Sequence, residues 1–297
     1  MSAYDELMAF QSETEALSQI AGRLGWDQET MMPRGAADQR AAEMAAIEGV
    51  LHARRTDARV GDWLDAAEPV DDVARAQLRH IRRSYTRTMK VPAKLAADLA
   101  RLTSKAQGIW AEARAAEDVA AFLPTLKEVV TLKREEAAAL ADGGDLYDAL
   151  LDDYEPGATG ASLSAVFNAL RPRLVELRER VLGSAAQPDP LHGDYPVEPQ
   201  LALASKLAET FGYDTNHGRI DGVVHPFCSG NGLDVRITTR TSVQDPFNCF
   251  YSTVHETGHA AYEQNIDRAY LLTPLGAGVS MGVHESQSRI YEKQLGR

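Results

Sequence analysis

Five consecutive residues carry the plainest chemistry in this chain: His255-Glu256-Thr257-Gly258-His259. On an α-helix, side chains four residues apart leave the same face, about 6 Å apart along the axis. Two imidazoles placed in this way can hold one metal ion, and a glutamate beside them can take a proton from water at that ion. Composition alone would supply roughly 0.015 such matches in a chain of this kind, so accident is a poor account of the spacing. The surrounding FNCFYSTVHETGHAAYEQN is apolar, free of proline and compatible with helix, as the motif requires.

A tetrahedral catalytic zinc takes three protein ligands and leaves a fourth position open. His255 and His259 supply two, so another element must supply the third. His284 and Glu285 lie in VHESQSRIYEKQLGR, a helical segment reached through the glycine-containing loop TPLGAGVSMG. His225 lies upstream on an expected strand. Glu263 and Asp267 are closer in sequence but less suitable, because one helix cannot readily wrap three ligands around one ion. The frequency of two-histidine, one-glutamate sites among hydrolytic zinc enzymes favours Glu285 over His284 and leaves both open. With better ligands at hand, Cys228 is not needed.

The elements that must position these residues read as mostly helical. Helices are expected over 3–24, 36–55, 72–88, from Pro92 past Trp110, and over 119–141, 162–182 and 200–211. Gly25 is expected to end the first, leaving WDQETMMPRG as a loop whose Trp26 and methionines pack rather than bind. Arg75, Arg79, Arg82, Arg83 and Arg87 read as a solvated helix face paired with acidic neighbours. The acidic YDALLDDYEPGAT lacks the ligand spacing of a calcium loop and reads as structural. Residues 183–199 form a surface connection. Only after Gly218 does the period change to two: Val223–Phe227 and Asp234–Arg240 are expected strands joined by SGNG, with Pro226 making the first an edge or breaking its pairing there. The expected architecture is a single, mainly α region over 1–297 with one small hairpin or sheet beside the metal helix, the metal segment spanning about 220–297.

Composition narrows the function classes. Hydrophobic residues make up 44% and charged residues 25%, ordinary values for a globular protein. The net charge of −12 argues against a general nucleic-acid binder and against docking on an anionic membrane. Two cysteines, Cys228 and Cys249, are too few for a disulfide framework and suit a reducing compartment. The first residues lack a basic start and an apolar stretch, and no run approaches a membrane span. A cytoplasmic location is expected.

Several stretches in order, WDQETMMP, YDALLDDYEPG, HPF, DVRITTR, HETGH and HESQS, resemble the carboxypeptidase Taq family of zinc metallocarboxypeptidases. The resemblance implies a multi-helix, gluzincin-like metallopeptidase with one Zn2+, for which Co2+ can substitute. It implies Glu285 as third ligand beside His255 and His259, and Glu256 as the catalytic base. Broad removal of residues from peptide C-termini and a homodimer are implied in the same way.

Recognition of a free C-terminal carboxylate suits a bidentate arginine. Arg236 shares a strand face with Asp234 and Thr238 and resembles the family's D-x-R-x-T; the alternative is that it pairs with Asp234 and braces the sheet. His225 can meet an extended peptide from an edge strand, or be structural beside Pro226. The family's later motifs, I-R-x-x-A-D and G-x-x-Q-D-x-H-W, have no counterpart. A truncated member is therefore expected, with part of the cleft wall missing and the apolar faces meant for it exposed. A metal-binding fragment without turnover and a zinc endopeptidase or oligopeptidase are the competing readings.

Overall fold

The computed structural model describes residues 2–186, 189 and 191–296. Gln187, Pro188 and Pro190 of the 183–199 connection, and Arg297 at the end of the last helical pattern, lie outside the described residues.

Nine helices come first among the described residues: α1 (Ala3–Thr30), α2 (Ala37–Arg55), α3 (Ala58–Ala66), α4 (Asp72–Lys90), α5 (Ala93–Ala115), α6 (Val119–Ala141), α7 (Leu146–Leu151), α8 (Gly160–Leu182) and α9 (Val197–Thr210). Side-chain caps start most of them. Ser2 and Asp5 form a reciprocal capping box on α1, and Asp57, Asp71, Asp118, Asp145 and Thr159 cap α3, α4, α6, α7 and α8. One apolar core joins α1, α3 and α4 through Leu7, Val60, Leu64 and Ile81.

α1 runs past Gly25 to Thr30, so WDQET is helix rather than loop. The glycine costs about 1 kcal/mol of helix propensity, and tertiary contacts offset it. Trp26 is buried, and Arg236 lies over its ring at 4.3 Å. Asp27 pairs with Arg40 at 2.6 Å, and Gln28 exchanges two hydrogen bonds with Ser104.

Three strands follow: β1 (Ile220–Gly222), β2 (Cys228–Asn231) and β3 (Asp234–Thr239), in the order β1-β3-β2. β1 runs parallel to β3 and β2 antiparallel to it. The expected strand at 223–227 is therefore displaced, and those residues form the connection between β1 and β2. The hairpin closes later because Gly230 and Gly232 adopt left-handed φ values of 92° and 62°. A Cβ on Gly230 would sit 2.0 Å from the Asp234 carbonyl oxygen.

The motif lies on α10 (Pro246–Gln264), which opens on Asp245 as cap and Pro246 in the first turn. One side of α10 packs on β3 and α9 around Val235, Ile237, Ala208, Tyr213 and Ala260. Another packs on α11 (Met281–Ile290), which continues into a π turn at Tyr291–Leu295. The contact between α10 and α11 passes through Gly258, where a Cβ would lie 2.6 Å from Ser288 Cα and 3.1 Å from the Gln287 carbonyl oxygen. The motif's glycine thus lets the two backbones approach.

YDALLDDYEPG holds the far end of α11. The Met281 amide donates to the Tyr154 carbonyl at 2.9 Å, and the Gly282 amide donates to Glu155 Oε2 at 2.8 Å. Asp152 and Asp153 pair with Arg83 and Arg87 of α4. These carboxylates brace helices, the structural role expected of them.

Gly258→Ala would gain about 1 kcal/mol of helix propensity, yet overpacking of this kind costs about 1–3 kcal/mol. We expect Gly258→Ala to unfold at lower temperature than the unsubstituted protein. Gly22→Ala on α1, whose Cβ would meet nothing within 4 Å, should unfold at the same or a higher temperature. Thermal unfolding that finds Gly258→Ala unchanged or stabilised contradicts the close-contact account.

Candidate metal centre

The geometry of α10 brings His255 and His259 onto one wall of a cleft, and α11 turns Glu285 toward both. Glu285 Oε2 lies 3.2 Å from His259 Nε2 and 3.6 Å from His255 Nε2. A tetrahedral ion with ligand bonds of about 2.0–2.2 Å spaces its donor atoms roughly 3.4 Å apart. Both Glu285 distances are close to that spacing, and all three ligand atoms lie within 4.8 Å of one another. Among the described residues they are the one group of three that meets metal-ligand spacing.

The outer atoms of these three side chains are held as well. His255 Nδ1 lies 3.1 Å from Glu292 Oε2. Arg289 bridges Glu285 Oε1 at 2.8 Å and Glu292 Oε2 at 2.9 Å, which orients Glu285 so that its second oxygen meets the histidines. His259 Nδ1 meets His284 Nδ1, and His284 Nε2 meets Glu263 Oε1. His284 and Glu263, both considered as ligands from sequence, thus stand behind His259. Such outer contacts fix the orientation of metal-binding imidazoles.

Electrostatics divides the carboxylates by role. Glu256 is buried, has no hydrogen-bond partner among the described residues, and is pushed up to about 8 by burial and then by Glu285. A cation among the three ligands acts in the opposite direction and favours the ionised form. Burial, followed by His284 and His255, pushes His259 down, which keeps it in the neutral form that binds metal. Burial, Glu256 and Glu263 push the Cys228 thiol well up, so it makes a poor ligand.

The cleft has a volume of 1620 Å³ and is walled by α4, the turn after α7, the β1–β2 connection, α10 and α11. His225 lies exposed on its lining, in the connection rather than on a strand. Arg236 is not among the lining residues. Its guanidinium pairs with Asp234 through bonds of 2.7 and 2.9 Å and covers Trp26, the bracing arrangement. Arg240 does line the cleft. It contacts Asn248 Oδ1 at 3.2 Å and the Val224 carbonyl at 3.5 Å, and has no carboxylate partner among the described residues. Sequence reasoning passed over Arg240, Arg289 and Glu292. The last two were findable, since residues 285, 289 and 292 share one face of a helix.

The profile of the carboxypeptidase Taq (M32) metallopeptidase family matches residues 6–297. Thermostable carboxypeptidase 1 of Thermus thermophilus is 44% identical, over 100% of this chain and 62% of its own length. Carboxypeptidase 1 of Bacillus subtilis is 33% identical, over 94% of this chain and 57% of its own. The crystal structure of the M32 carboxypeptidase from Deinococcus radiodurans R1 superposes with a TM-score of 0.85 at 38% identity, covering 99% of this chain and 60% of that one. The chain thus spans about three fifths of the length of the relatives it matches. It belongs to the carboxypeptidase Taq (M32) family of metallopeptidases.

Proposed function

We propose that this chain carries the metal-binding part of a zinc carboxypeptidase site, with His255, His259 and Glu285 as ligands and Glu256 as general base. The approach of Glu285 Oε2 to the Nε2 atoms of both His255 and His259 is the observation that carries this reading. Two imidazoles and one carboxylate are a donor set that suits Zn2+, and the same donors accept Co2+. When bound, the ion supplies Lewis acidity to the attacking water and the scissile carbonyl.

The chain's own residues supply the rest. Glu256 takes the proton of the attacking water and returns it to the departing amine nitrogen. Burial and the lack of another partner leave that carboxylate free for the transfer. His225, on the cleft lining, is placed to meet an extended peptide. The guanidinium of Arg240, unpaired by any carboxylate among the described residues, is suited to the peptide's C-terminal carboxylate. Its neighbour Asn248 precedes His255 by seven residues on α10, about 10 Å along the axis, a distance that one terminal residue and its contacts can bridge. The two free cysteines suit a reducing compartment, and we assign the chain to the cytoplasm. Among the described residues no helix is long and apolar enough to cross a membrane.

Replacing Glu256 with Gln should lower kcat by about 10²–10⁴-fold while zinc content, measured by atomic absorption, stays at one ion per chain. Normal turnover by that variant contradicts the assignment of the base.

Substrate assays separate the competing readings, because the chain is shorter than its relatives. A carboxypeptidase cleaves a blocked dipeptide with a free C-terminus and spares its amide. An endopeptidase cleaves both, and a metal-binding part without turnover cleaves neither. If the first result is obtained, Arg240→Ala should lower kcat/KM for the free acid by about 10–100-fold, the value of a lost charge-assisted contact. An unchanged kcat/KM removes Arg240 from carboxylate recognition.

A further inference from the structure

His284 and Glu263 have no part in the chemistry described above, yet both are placed with care. Glu263 is 6% exposed and lies four residues beyond His259 on α10. Its Oε1 lies 2.7 Å from His284 Nε2, while its Oε2 has no partner among the described residues. At its other nitrogen, His284 Nδ1 lies 2.5 Å from His259 Nδ1. The two rings are 4.6 Å apart between centroids and inclined by 27°. With the nitrogens this close, that separation sets the rings edge to edge, as an in-plane hydrogen bond requires. Tyr262 lies against the His284 ring at 4.9 Å. A Cβ on Gly278 would come 2.6 Å from His284 Cδ2 and 3.2 Å from Glu263 Oε1, so the loop backbone presses on this pair.

The protons along this row have one arrangement in which Glu263 accepts and both contacts carry a hydrogen. When Glu263 Oε1 accepts across the 2.7 Å contact, His284 donates from Nε2. A neutral His284 then has its lone pair on Nδ1 and accepts from His259 Nδ1–H. A neutral His259, protonated on Nδ1, has its lone pair on Nε2, the atom 3.2 Å from Glu285 Oε2. Reversing the row puts a proton on His259 Nε2, pointing into the ligand set, and leaves His284 Nε2 facing an acceptor without a proton. The buried carboxylate at the far end therefore decides which nitrogen of His259 is free.

We propose that Glu263 and His284 form a carboxylate–imidazole relay that holds His259 in the tautomer and orientation able to bind the metal through Nε2. The proposal rests on the metal-site reading above. His284 is a positioning residue and Glu263 is its anchor; neither touches substrate. His255 has the shorter version of the same device, a direct contact from Nδ1 to Glu292. The relay also assigns the histidine of HES a place behind the site, since both of its nitrogens are occupied.

Zn2+ affinity, measured by competition with a chromophoric chelator, tests the relay without reference to turnover. His284→Phe keeps a ring beside Tyr262 and removes both nitrogens; it should weaken Zn2+ binding by about 10–100-fold. His284→Asn, whose side-chain oxygen can accept from His259 Nδ1–H, should restore most of that loss. Wild-type affinity in a folded His284→Phe, or equal loss in both variants, overturns the proposal. Should His284→Phe fail to fold, nitrogen-15 spectra of the unsubstituted protein decide the matter. They should show the His259 proton on Nδ1, and a proton on Nε2 overturns the relay. His255→Ala separates the two levels: it should abolish tight Zn2+ binding, and unchanged binding refutes the metal site itself while the tautomer measurement still judges the relay.

Discussion

The close approach of α10 and α11 is the constraint on which the rest of the structure depends. Two histidines on one helix face cannot complete a catalytic metal site alone, and the missing ligand must arrive from outside that helix. Gly258 removes the side chain that would keep Ser288 away, and the resulting contact sets Glu285 over both imidazoles. Everything around α11 serves that placement. Tyr154 and Glu155 hold its first turn, and Arg289 holds the carboxylate of Glu285 from behind. The acidic stretch of residues 147–159 contributes to the site through that first turn.

Charge is arranged with similar economy. Glu285 and Glu292 share Arg289 and are fixed by it, whereas Glu256 is buried beside them without a partner among the described residues. Environments this different separate carboxylates into ligands and proton carriers. The same division explains the arginines. Arg236 is committed to Asp234 and Trp26 and stiffens the sheet, while Arg240 faces the cleft without a carboxylate. Position relative to the cleft, which residue type does not reveal, distinguishes the two.

The parts of this site legible in the sequence were those set by local geometry. The i, i+4 spacing of His255 and His259 needs only a helix, and α10 formed where its apolar flanks and Pro246 required. Glu285 was one of two candidates until the resemblance selected it, and the contact that places it depends on a glycine whose neighbour lies thirty residues away. The errors have the same origin. Gly25 read as a helix end because the contacts of Trp26, Asp27 and Gln28 that carry α1 onward are all long-range. The alternation of Val223–Phe227 read as a strand, but the register with β3 is fixed at Cys228–Asn231 by two positive-φ glycines. α3 was passed over although Asp57 is an ordinary cap, because nine residues carry too little periodicity.

α8 carries an exposed apolar stripe. Phe167, Leu170, Leu174, Leu177 and Val181 recur at alternating intervals of three and four, and all are exposed. Exposed apolar residues grouped in this way mark contact surfaces more often than singly scattered ones do. The candidate metal centre lies within this chain. Zinc K-edge X-ray absorption on the zinc-loaded protein tests it most directly. The account predicts two imidazoles and light-atom oxygen ligands at about 2.0–2.2 Å. A third imidazole, which would bring His284 into the ligand set, or a sulfur at about 2.3 Å from Cys228 would contradict it.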